Sequence, residues 1–134
     1  MHYTLIHKDT LANSGASVGH GVKQSVLLAG GWDKLYAVAV LVIDGVSPKA
    51  ELHEHDADVF RVISGTGTFI LGGTLQNEER TAPGELVGDS ILGGERCEVS
   101  VGDVLDIPPG VPHQFEVGAG RLELMIVKVC KANY

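Results

Sequence analysis

Two stretches of the chain decide how it is read. The first is His53-Glu54-His55-Asp56-Ala57-Asp58-Val59-Phe60-Arg61-Val62-Ile63-Ser64-Gly65. The second is Gly102-Asp103-Val104-Leu105-Asp106-Ile107-Pro108-Pro109-Gly110-Val111-Pro112-His113. His53 and His55 stand two apart inside an expected strand, where residues i and i+2 point to the same face. Two imidazoles aimed together from one strand make a bidentate clamp for a metal ion. Glu51 lies on that same face, two residues earlier, and Asp58 follows His55 by three. The second stretch delivers another histidine, His113, just after a Pro-Gly turn. A lone histidine is usually a surface or hydrogen-bonded residue, and His2, His7 and His20 read that way. A His-x-His pair arises by chance on exposed strands. The pair with neighbouring carboxylates and a distant Pro-x-Gly-x-x-His is a far more specific pattern.

Working outward, the chain reads as strands throughout. Leu35 to Ile43 is almost wholly apolar, short and rich in β-branched residues, which predicts a strand covered on both faces. Further strands are predicted at 25–29, 50–55, 58–64, 67–72, 97–101, 104–107, 113–117 and 121–130, separated by turn residues such as Gly30-Gly31, Asp44-Gly45 and Gly65-Thr66-Gly67. No convincing helix emerges. The 72–95 stretch is too long for a simple connection and carries apolar spots at Leu75, Leu86-Val87 and Ile91-Leu92. It reads as an extended surface hairpin, or as a lid at a pocket mouth. Many short strands with regular turns predict a β-sandwich or β-barrel. Gly15-Ala16-Ser17-Val18-Gly19-His20-Gly21 has the spacing of a phosphate loop but lacks its Gly-Lys-Ser/Thr ending and a preceding strand, so it carries no weight.

Composition fits that picture. The chain has 134 residues, 44% hydrophobic and 20% charged, which excludes a disordered protein and allows a packed core. Eighteen glycines supply the many turns that an all-β chain needs. The formal charge is −7 and no basic cluster occurs, so nucleic acid and anionic membrane surfaces are poor partners. No apolar run is long enough for a membrane span, and no signal-peptide pattern is read at the N-terminus, so the expected compartment is the cytoplasm. Cys97 and Cys130 are too few and too far apart for a disulfide framework and read as structural thiols.

The two stretches resemble the paired motifs of the cupin superfamily. The first motif runs G-x5-H-x-H-x3-4-E-x6-G, matched here by His53, His55 and Gly65, with Ser47 in place of the leading Gly and Asp58 in place of the Glu. The second runs G-x5-P-x-G-x2-H-x3-N, matched by Gly102, Pro108, Gly110 and His113, with Val117 in place of the Asn. The resemblance covers roughly residues 35–130. It implies an antiparallel jelly-roll β-barrel with few or no helices: one cupin domain over 1–134, with N-terminal strands or an arm over 1–34. It also implies a metal in the barrel interior held by His53, His55, Asp58 and His113. Glu51 is the runner-up, as a ligand or as a base beside the open site. Imidazole with carboxylate suits a divalent first-row metal such as Fe, Mn, Ni, Zn or Co. Open coordination positions would serve Lewis-acid or oxygen chemistry.

Two function classes follow. One is a metal-dependent cupin enzyme acting on a small organic metabolite, of dioxygenase, isomerase, lyase or decarboxylase type. The other is a non-catalytic small-molecule-binding or sensing cupin. A metal-free isomerase with histidines as acid–base groups is a third, weaker reading. Phe60, Phe115, Trp32 and Tyr36 are expected in core packing and Arg61 at the surface. The apolar strands at 35–43 and 121–130 suggest a homodimer.

Overall fold

The computed structural model describes residues 2–130. A short helix α1 (Lys8–Asn13) is followed by strands β1 (Val22–Gly30), β2 (Tyr36–Asp44), β3 (Ala50–His53), β4 (Asp56–Ser64), β5 (Gly67–Leu71), β6 (Thr74–Gln76), β7 (Glu79–Ala82), β8 (Glu85–Gly88), β9 (Ser90–Leu92), β10 (Glu95–Val99), β11 (Val104–Ile107), β12 (His113–Glu116) and β13 (Arg121–Cys130). Pairing is antiparallel throughout. The first sheet runs β1-β2-β13-β4-β11, the second β10-β5-β12-β3-β8-β7, and β6 and β9 form a small ribbon. The fold is an all-β jelly-roll barrel whose two main sheets face each other.

Alternation along each strand builds the interior. On β13, Leu122, Leu124 and Ile126 are buried, and on β4 Phe60 and Val62 are. These pack with Ala39, Leu41 and Ile43 of β2 and with Phe69 and Phe115 of the second sheet. Three rings form the centre: Phe69 and Phe115 lie 4.8 Å apart, and Phe60 meets Phe115 edge-on at 5.6 Å. Phe60 and Phe115 are therefore core residues, as expected.

Strand β2 is covered on both faces, as its unbroken apolar run predicts. Its outer residues Val40 and Val42 are fully buried under Val18, with Leu11 of α1 and Val26 and Leu28 of β1 packed alongside. The N-terminal segment thus supplies the second cover. Asp44 at the end of β2 fastens it. Asp44 accepts from Gly21 N and Arg121 Nη1 and contacts His20 Nδ1, each at 3.1 Å. The same guanidinium donates to the carbonyls of Gly15, Val18 and Gly19.

The 72–95 stretch is an extended hairpin, one of its two expected readings: β6 returns against β9 and β7 against β8. Its strand β8 pairs with β3, placing Glu85 opposite His53 and Val87 opposite Glu51. It belongs to the sheet that carries the site. Trp32 and Tyr36 depart from the expectation of core packing: they are 46% and 52% exposed. Both belong to the β1–β2 hairpin, where the chain leaves the barrel.

Candidate metal centre

Strand β3 and strand β12 meet with His113 directly opposite Glu51. The turn before β12 makes this possible. Gly110 sits at φ +83°, a left-handed conformation open to glycine, and its N–H donates to the carbonyl of His53 at 2.8 Å. The Pro-Pro-Gly turn is thereby tied to the end of β3, and His113 enters the barrel beside His53. Their rings stand 5.0 Å apart.

Across the barrel, β4 contributes Asp58. Its carboxylate oxygen Oδ2 lies 3.2 Å from His53 Nε2 and 3.8 Å from His113 Nε2. Glu51 Oε2 lies 3.5 Å and 3.7 Å from the same two nitrogens. The other oxygen of each carboxylate meets a lysine. Glu51 Oε1 accepts from Lys23 Nζ at 2.8 Å, and Asp58 Oδ1 from Lys128 Nζ at 2.9 Å. Two imidazole nitrogens and two carboxylate oxygens therefore converge, backed by two ammonium groups.

The outer nitrogens of both rings are fixed. His113 Nδ1 lies 3.1 Å from the Val111 carbonyl, which can only accept, so Nδ1 carries the proton and Nε2 presents its lone pair to the site. His53 Nδ1 is held by the Glu85 carboxylate. A carboxylate or carbonyl behind an imidazole is the arrangement that orients metal-binding histidines. His113 is 1% exposed, and its Nε2 is the one buried side-chain nitrogen or oxygen among the described residues with no hydrogen-bond partner. A buried polar atom is rarely left so. Glu51, His53 and His113 could together hold a metal ion, their ligand atoms lying within 4.8 Å of one another. The donor set, nitrogen plus carboxylate oxygen, fits a divalent transition metal.

The electrostatics are those of tightly coupled groups. Burial alone would raise the Glu51 carboxyl, but the neighbouring cationic groups, the Lys23 ammonium among them, outweigh it and hold the group well below the usual carboxylate range. Burial likewise opposes the ionised Asp58, and His53 with Lys128 overcomes it, so Asp58 is lowered. Burial disfavours the protonated His53, yet the Asp58 carboxylate prevails and the imidazole is raised.

His55 lies apart from this group. Strand β3 ends at His53 and β4 begins at Asp56. Residues 54 and 55 form a bend between them, so the two-residue alternation does not carry through. His55 is exposed and borders a neighbouring cavity with Trp32, Asp56, Glu85 and Cys130. What signals Glu51 instead is a count from Gly45, which sits at φ +59°. Read from there, the chain runs Gly45-x5-Glu51-x-His53-x4-Asp58-x6-Gly65. The leading glycine and the two histidine positions of the first motif thus fall two residues earlier than the histidine pair suggests, with Glu51 in the first histidine position, while Asp58 and Gly65 keep their places. Glu85, Lys23 and Lys128 carried no sequence signal, because strand pairing alone brings them to the site. Arg61 is exposed, and Gln114 points away from the site and donates to the Pro48 carbonyl.

The site opens into a cavity of about 140 Å³, lined by these groups and by Leu41, Phe60, Phe115 and Ile126, with Trp32 at its edge.

No family model and no curated protein matches the chain. Solved structures do. A double-stranded β-helix domain protein of Klebsiella pneumoniae is 15% identical with a TM-score of 0.61, the match covering 92% of this chain and 90% of that one. A cupin superfamily protein of Desulfitobacterium hafniense is 18% identical with a TM-score of 0.59, covering 97% and 93%. The DMSP lyase DddQ of Ruegeria pomeroyi is 13% identical with a TM-score of 0.58. That match covers 84% of this chain and 49% of the lyase, so the chain spans about half of that protein's length.

Proposed function

We propose that this chain, which has the cupin fold, holds a divalent transition metal with Glu51, His53, Asp58 and His113 and acts as a small metalloenzyme on an organic metabolite. The observation that carries the reading is His113 Nε2, a buried lone pair without a partner, aimed at two carboxylates. When bound, the metal would supply Lewis-acid or redox chemistry at an open position. The chain's own residues do the rest. Glu85 and the Val111 carbonyl fix the two ring orientations. Lys23 and Lys128 each engage the outer oxygen of one carboxylate. Leu41, Phe60, Phe115 and Ile126 give the cavity apolar walls.

The test is metal content of protein purified without a chelating tag, then the affinity of single variants for added metal. Glu51→Gln and Asp58→Asn should each weaken binding at least tenfold, about 1.4 kcal/mol or more. His55→Gln should leave it unchanged. If His55→Gln is the variant that loses the metal, the assignment of the ligands is wrong.

A second reading has one observation in its favour. The ammonium groups of Lys23 and Lys128 match the two carboxylates, so the cluster is charge-balanced without a cation. A non-catalytic binding cupin would need no more. Protein that takes up no metal even after reloading supports that reading and overturns the first.

A further inference from the structure

We infer that the ligand of this site is a small organic anion, a carboxylate with an apolar body, recognised by Lys23 and Lys128 beside the metal. The inference rests on the metal reading and follows from where charges stand around the cavity. Four charged side chains line it: Lys23, Glu51, Asp58 and Lys128. They sum to zero. A divalent cation between Glu51 and Asp58 brings the lining to a surplus of two positive charges. Apart from the Ser25 hydroxyl, the remaining walls, Trp32, Leu41, Phe60, Phe115 and Ile126, are apolar and solvate that surplus poorly. That surplus favours an anion with its charge on the metal and the ammonium groups and its carbon skeleton on the rings.

Two further carboxylates stand nearby. Asp56 reaches Lys128 at 4.0 Å, and Glu85 holds the far nitrogen of His53. Both border the adjacent cavity rather than this one. They act on the site from behind the lysine and the imidazole. Lys128 is therefore shared between Asp58 and Asp56, whereas Lys23 has Glu51 alone among the acidic groups within ion-pair distance. Lys23 also stands over the Phe115 ring, 5.3 Å from its centroid, at the point where an apolar ligand body would lie. Of the two lysines, Lys23 should matter more for the anion.

The lysines have an opposite effect on the metal. Each holds an oxygen of a proposed metal-ligating carboxylate and competes with the cation for it. Replacing Lys23 by an uncharged residue of similar length should weaken the anion and leave the metal as tight or tighter. A lysine that only maintained structure would weaken both together.

The experiment uses the cobalt-loaded protein with propionate and its neutral isostere propionamide as probes. Binding is read from the visible cobalt bands and from the fluorescence of Trp32, the sole tryptophan, which borders the cavity. Propionate should bind at least tenfold more tightly than propionamide. In Lys23→Met that preference should fall at least fivefold, with cobalt affinity unchanged or raised, and Lys128→Met should show a smaller fall. Equal binding of the two probes to the cobalt-loaded wild type overturns the inference alone, without recourse to any variant. So does a preference that survives in both lysine variants. Failure of the wild type to take up cobalt overturns the metal reading and, with it, this inference.

Discussion

Asp58 is gripped from two sides, by His53 and by Lys128, while only 3% of its side chain reaches solvent. Removing Asp58 leaves the buried Lys128 ammonium with only the more distant Asp56, at 4.0 Å. Asp58→Asn should therefore destabilise the metal-free protein by about 3 kcal/mol, the usual cost of breaking a buried pair. Adding Lys128→Met to it should recover most of that loss, as a chemical denaturation series would show. If the double variant is as unstable as the single one, the pair is not what holds Asp58. Glu85 acts one bond further out. Glu85→Gln keeps its shape but loses the charge behind His53, and metal affinity should drop roughly 10- to 100-fold. At this scale the sequence told part of the story. His113 and Asp58 were legible because turn residues at fixed spacing, Gly65 and Pro108-Pro109-Gly110, set their register. His55 misled because the alternation rule assumes an unbroken strand, and the chain bends immediately after His53. Gly45 carried the correct count, but the adjacent histidine pair drew the reading two residues downstream.

Strand β2 shows how an element can be legible while its covering is not. Its nine-residue apolar run announces burial on both faces, and the bounds of β13 agree with the predicted 121–130. Nothing local reveals that the outer face is covered by Val18 and Leu11, since α1 is only six residues long and too short to show a helical period. The lock on that cover is Asp44. Its contacts with His20, then Arg121 and the Gly21 amide, hold its carboxyl at about 2 against an ordinary 3.8. The sign follows from linkage. A carboxylate whose folded value is depressed contributes stability above its unfolded value and loses it as the pH falls through the folded one. Melting temperature should thus decline between about pH 4 and pH 2 through this group. In Asp44→Asn that part of the decline should vanish. Hydrogen exchange of the 15–21 amides should rise in the same variant. Unchanged exchange there would show that the segment is held by packing alone. The 72–95 hairpin is legible as such, but its docking on the barrel is not. Its strands are three or four residues each, and only the pairing of β8 with β3 joins the β7–β8 part to the main sheet, while β6 and β9 stay a separate ribbon.

On the scale of the whole molecule, two arguments change weight. The homodimer was expected because two strands had apolar surface to hide, and intrachain cover of β2 removes half of that motive. The exposed apolar residues that remain include Leu27, Trp32, Leu35 and Tyr36, all on or beside the β1–β2 hairpin. They are the surface on which a second copy would pack, and a single 14 kDa species in sedimentation at micromolar concentration would exclude it. The metal site bears on the fold more directly, because its proposed ligands come from both sheets. Glu51, His53 and His113 belong to the sheet containing β3 and β12, and Asp58 to the one containing β4. A bound ion would join the two layers, and only the folded chain brings the four groups together. Metal at a hundredfold excess over its dissociation constant should then stabilise the fold by about 2.7 kcal/mol. For a domain of this size 1 kcal/mol corresponds to roughly 3–5 °C, so the melting temperature should rise by about 10 °C on loading and fall back with a chelator. Asp58→Asn removes the one ligand contributed by the first sheet and should shrink that rise, even where the remaining three ligands still bind. A melting temperature that does not move between metal-loaded and chelated wild type, at demonstrated occupancy, would mean that the ion does not join the sheets.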